Sequence, residues 1–145
     1  MSTPATGSPL PFDAVSRDDI EAFSRQKENI LAAVIERINS GAVTVGHPTS
    51  EQQIRLAIES ARILTENFFV CVKHQLPGAL DDYLTWLRSF LAQRDFPASF
   101  LPHLLHSLML SSQAYVDLPA GDHVSTVLRA LRRRELARNT GADPS

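Results

Sequence analysis

From residue 16 to residue 138, apolar residues recur at three- and four-residue steps in five runs, punctuated by capping residues, glycines and prolines. That spacing puts them on one side of a helix. No stretch alternates apolar and polar residues convincingly enough to read as a half-buried strand. A chain patterned this way is expected to fold as an all-α bundle of five helices, with short connections that make neighbours mostly antiparallel. At 145 residues it has room for one domain. An up-down bundle and a globin-like crossing of helices both fit the pattern.

The first helix opens at Ser16, whose hydroxyl is placed to accept from the backbone N–H of Asp19 while the Asp19 carboxylate reaches back, a capping box with a short acid. Ile20, Phe23, Ile30, Leu31, Val34 and Ile38 form its apolar stripe, and Gly41 is its stop signal. Residues 42–48 read as a linker. The second helix starts at Thr49 or Ser50, each with a glutamine three places on, and runs to Lys73 or His74, with Pro77 and Gly78 closing it. A third helix is expected from Ala79 to Arg94, with Leu80, Tyr83, Leu84, Leu87, Phe90 and Leu91 inward and Trp86 to one side. The fourth begins at Ser99 and buries Leu101, Leu104, Leu105, Leu108, Ser112 and Tyr115. A turn over 117–121 leads to the fifth helix, from Asp122. Residues 1–14 are proline-rich and polar and read as a flexible arm, 15–138 as the helical domain, and 139–145 as a flexible tail.

The second helix carries more apolar surface than one buried face requires. Ile54, Ile58, Ala61, Thr65, Phe68 and Val72 share one side, while Leu56, Ile63 and Val70 lie nearly opposite at strict seven-residue intervals. The edge between them is charged: Arg55, Glu59, Arg62, Glu66 and Lys73. Two stripes mean either a helix central in its own domain or one shared with a second copy of the chain.

Composition narrows the function classes. Fourteen Lys and Arg against sixteen Asp and Glu leave a net charge of -2, which removes a global electrostatic case for nucleic acid or an anionic membrane. One cysteine excludes an internal disulfide framework and a Cys-rich zinc site. No apolar run approaches the ~20 residues that span a bilayer. The first eleven residues lack the basic and apolar regions of a signal peptide, so a cytoplasmic location is expected.

No GxSxG, HExxH or glycine-rich phosphate loop occurs, so an enzyme is not expected. His103 and His106 have the i, i+3 spacing two metal ligands use, but lack a Glu-x-x-His partner and read as exposed helix residues. Cys71, inside Phe68-Phe-Val-Cys-Val, reads as a small core residue rather than a redox sensor or a bilin attachment point. The sharpest charge asymmetry lies in the last helix, where five arginines against Asp122 and Glu135 leave +3. Arg129, Arg132, Arg133 and Arg134 are therefore candidates for contact with an acidic protein surface; without interleaved aromatics, nucleic acid is the weaker reading.

The stretch Leu80-Asp-Asp-Tyr-Leu-Thr-Trp-Leu-Arg-Ser-Phe-Leu-Ala-Gln-Arg-Asp-Phe-Pro97, followed by the leucine helix ending near Leu118-Pro119, resembles the helical N-terminal region that precedes the cobalamin domain in some bacterial photosensory regulators. No Asp-x-His-x-x-Gly signature occurs, so no cobalamin-binding residue carries over. The layout of a long capped first helix, a two-faced second helix and a helix–proline–helix hairpin is also similar to the dimeric, globin-like N-terminal domains of stressosome-type regulators. That likeness implies a domain that binds no haem and acts by dimerising and transmitting a signal. The reading that follows is a non-catalytic bacterial sensory or regulatory module, homodimeric through Leu56, Ile63 and Val70 and touching another protein through its arginines. The alternative is a carrier or sensor holding a tetrapyrrole or apolar ligand between the second helix and the third–fourth pair, with Phe68, Phe69, His74 and Trp86 lining the pocket.

Overall fold

Five helices are present: α1 (Arg17–Asn39), α2 (Glu51–Lys73), α3 (Pro77–Ala92), α4 (Phe100–Tyr115) and α5 (Ala120–Asn139), preceded by a single 3-10 turn, Phe12–Ala14. They are seen in a computed structural model that describes residues 10–44 and 50–139, and no strand occurs among the described residues. The fold class expected from the periodicity is therefore the one adopted.

Both long helices start as their sequences dictate. Ser16 Oγ accepts from Asp19 N at 3.1 Å, and Asp19 Oδ2 accepts from Ser16 N at 2.8 Å. Ser50 and Gln53 make the equivalent box on α2, while Thr49 and the rest of 45–49 lie outside the described residues. Gly41 follows α1 at φ 86°, in the left-handed region where a Cβ is costly.

Helix α1 packs against α2, α4 and α5, and the α4–α5 hairpin is the most intimate pair. The core draws on every helix: Phe23 and Ile30, Leu64 and Phe68, Leu80 and Leu87, Leu104 and Leu108, Val127 and Leu128 are all buried. Helix α3 packs chiefly on α2.

Several boundaries differ from the expectation for physical reasons. Residues 10–14 are not an arm: Leu10 and Phe12 are buried, and the 3-10 turn packs on α5. Two apolar side chains among the prolines suffice to fasten it; residues 1–9 lie outside the described ones. Pro77 opens α3 instead of closing α2, since proline at the first helical position gives up an N–H that has no partner there anyway. Gln75, at φ 57°, ends α2 in its place. Helix α5 begins two residues before Asp122 and ends at Asn139, whose side chain donates to the Ala98 carbonyl at 2.7 Å; the rest of the expected tail, 140–145, is not described. Tyr115, placed in the core stripe of α4, is exposed.

Candidate functional site

The two faces of α2 are treated very differently by the fold. Ala57, Ala61, Leu64, Thr65, Phe68 and Val72 are buried, and Thr65 Oγ1 donates to the Ala61 carbonyl at 2.8 Å so that its hydroxyl is satisfied inside the core. Ile63 and Val70 are each 39% exposed. Leu56 is half-buried and joins the edge of the core. Charged residues flank the exposed pair, including Glu66, which accepts from Lys27 of α1 at 2.8 Å.

A second apolar surface lies on α3. Tyr83, Trp86 and Phe90 form a ladder with ring centroids 6.0 and 4.9 Å apart, and the Arg94 guanidinium sits 3.7 Å above the Phe90 ring. Trp86 is 53% exposed. The Tyr83 hydroxyl is closed off from solvent without a partner, and burial pushes its pKa up to about 12.

The four residues named for a ligand pocket are not brought together around one space. Phe68 is in the core, edge-on to Phe23, and Trp86 is on the outer side of α3. Phe69 stacks on Phe23 at 6.1 Å with the Lys27 ammonium 4.5 Å from its ring, and His74 is the exposed C-cap of α2. Phe69 and His74 share an open groove of about 530 Å³ with Arg17, Ile20 and Lys73, at the junction of the α1 start and the α2 end.

The four arginines of α5 divide. Arg134 is tied to Asp81 of α3 through Nη1, 2.9 and 3.1 Å from its two carboxylate oxygens. Arg129 and Arg133 are exposed, and Arg132 is half-buried with its Nε closed to water. Beside Arg134, Glu135 is almost fully buried and takes a two-pronged bond from Arg88 of α3, at 2.6 and 3.0 Å. The arginines expected to form a charged contact face thus belong in part to the clamp between α3 and α5.

A further polar pair has no local sequence signal. His123 Nδ1 lies 2.8 Å from Asp19 Oδ2, across 104 residues, so the carboxylate that caps α1 also fastens the start of α5. Burial alone would raise the Asp19 pKa, but the Ser16 backbone N–H, His123 and the Ser16 hydroxyl together hold it below the usual carboxylate range. Cys71 is buried in the core, and desolvation pushes its thiol up. His103 and His106 are half-buried rather than exposed, and no group of three or more potential metal ligands occurs among the described residues.

The chain matches no protein-family model, no curated protein and no solved structure.

Proposed function

We propose that this protein is a non-catalytic helical regulatory module of the cytoplasm that works by pairing with a second copy of itself and contacting another protein. The observation that carries the reading is the exposure of Ile63 and Val70 on a helix whose opposite side is buried throughout the core. Apolar side chains one heptad apart on a solvent face form the seam that two antiparallel or parallel helices share across a two-fold axis. Arg129 and Arg133, free of the α3 clamp, offer a separate basic surface for an acidic partner. No helix among the described residues is long and apolar enough to cross a membrane, which fits a contact-driven role in the aqueous phase.

Light scattering on the size-exclusion peak tests the pairing. A mass of two chains at micromolar concentration is expected, and Ile63→Glu should return it to one chain while circular dichroism stays helical, because Ile63 takes little part in the core. A single-chain mass at high micromolar concentration overturns the proposal. So does an Ile63→Glu variant that unfolds, since that outcome makes Ile63 a core residue.

A further inference from the structure

The apolar stripe of α1 has a gap. After Ile20 and Phe23 the next large apolar residues are Ile30 and Leu31, and the positions one and two turns on from Ile20 carry Ser24 and Lys27. A serine fills less of the space between two helices than a leucine does. At this gap the crevice between the start of α1 and the end of α2 stays open as the groove of about 530 Å³. That volume lies in the range that small-molecule sites occupy. Two cross-links span the crevice. Lys27 bonds Glu66 at 2.8 Å and holds its ammonium 4.5 Å from the centre of the Phe69 ring, and the Gln75 amide donates to the Phe12 carbonyl at 3.4 Å.

The floor and the rim of the groove differ in chemistry. Val15 and Val72 are buried and Ile20 and Phe69 half-buried, which gives an apolar floor. Arg17, Lys73 and His74 line the same groove, are exposed, and pair with no carboxylate among the described residues. Glu21 is the one acid among the described lining residues. Arg17 and Lys73 against Glu21 leave one positive charge with the His74 imidazole neutral. Residues 1–9, which precede the groove in sequence, contain no Asp or Glu to balance it.

One net positive charge over an apolar floor selects a ligand with a single negative charge and an apolar body. A phosphate dianion brings more charge than the groove balances and lies beside Glu21. A cation is disfavoured because two lysine ammoniums already lie 4.5 and 5.7 Å from the centre of the Phe69 ring. A guanidinium and an ammonium are the ordinary partners of a carboxylate.

We propose that the groove between the start of α1 and the end of α2 binds a small amphipathic monocarboxylate, with Arg17 and Lys73 on its charge and Ile20 and Phe69 along its apolar body. The site stands apart from the seam proposed on α2, since neither Ile63 nor Val70 lines it, and either proposal can fail without the other.

The test is an amide NMR titration of the full chain with millimolar octanoate and, separately, 3-phenylpropanoate, at constant ionic strength in chloride. Both are expected to shift the amides of residues 16–24 and 69–75 saturably and to leave those of 104–112 in place. Arg17→Gln and Lys73→Gln should each weaken binding about threefold to tenfold. Glu21→Gln should strengthen it about twofold by removing a like charge. Arg25→Gln, exposed on α1 outside the groove, should change nothing. All four positions are exposed, and circular dichroism checks that the variants fold. Octan-1-ol, which keeps the body and lacks the charge, should bind more weakly than octanoate by about threefold or more. Equal binding of octan-1-ol or octylammonium makes the groove a merely apolar patch and overturns the proposal. So do equal shifts from inorganic phosphate, shifts centred on Ile63, or no saturable response to either carboxylate.

Discussion

Single side chains in this protein differ most in whether their polar atoms are answered. Glu135 is almost fully buried and holds Arg88 with two bonds, so Glu135→Gln should lower stability to urea by about 3 kcal/mol, by stranding a guanidinium that is only partly hydrated. Glu51→Gln, which breaks an exposed pair with Arg55, should stay within about 0.5 kcal/mol. The Tyr83 hydroxyl has nothing to lose: it is closed off and unpartnered, and Tyr83→Phe is expected to be neutral or stabilising by up to ~1 kcal/mol in the same measurement. Asp19 gives a pH signature. Its folded pKa is depressed, so its contribution is complete above the unfolded value of about 3.9 and is lost as pH falls through the folded one. The stability gap between wild type and Asp19→Asn should therefore shrink on going from pH 6 to pH 3, and a gap that stays constant would show that the pairing with His123 and Ser16 contributes nothing. Half of this polar chemistry was legible in the sequence. Ser16 and Asp19 are three residues apart and announce a cap; His123 and Glu135 meet partners 104 and 47 residues away, and no local pattern encodes such a distance.

At the scale of elements, helix starts were easier to read than helix faces. Ser16 marks the start of α1 to the residue and Thr49 or Ser50 that of α2 to within one, because the cap is a short-range bond, whereas α3 and α5, expected from Ala79 and Asp122, each begin two residues earlier. Tyr115 falls on the apolar stripe of α4 by spacing alone, yet it is exposed because it occupies the last turn, where the hairpin to α5 leaves. Leu10 and Phe12 fasten a segment that composition marks as an arm, since composition counts prolines and does not see two apolar side chains finding α5. The α4–α5 hairpin is the closest approach in the fold. A Cβ at Gly121 would collide with the Val116 carbonyl oxygen, and backbone cannot give way as a side chain does. Gly121→Ala should cost about 2–3 kcal/mol in urea unfolding. Gly78 faces open space near the start of α3, so Gly78→Ala should gain about 0.5–1 kcal/mol. The reverse order would mean that the hairpin is looser than its geometry.

Over the whole molecule, acids and bases are matched where helices meet: Glu135 and Asp81 with Arg88 and Arg134 between α3 and α5, and Asp19 with His123 between the start of α1 and that of α5. The dimer seam proposed on α2 would make thermal unfolding depend on protein concentration: the midpoint should rise on going from low to high micromolar, and one that does not move signals a single chain. The attachment of α3 has a consequence for motion. Four leucines press this helix inward, its chief helical neighbour is α2, and two ion-pair clamps tie it to α5. Ion pairs with one member in reach of water weaken as salt is added, whereas packing between α4 and α5 does not. In hydrogen exchange, the amides of α3 should open before those of α4, and added salt should widen the interval between them. Helix α3 is then the part of the body that leaves first and returns last, and the stacked rings of Tyr83, Trp86 and Phe90 travel with it.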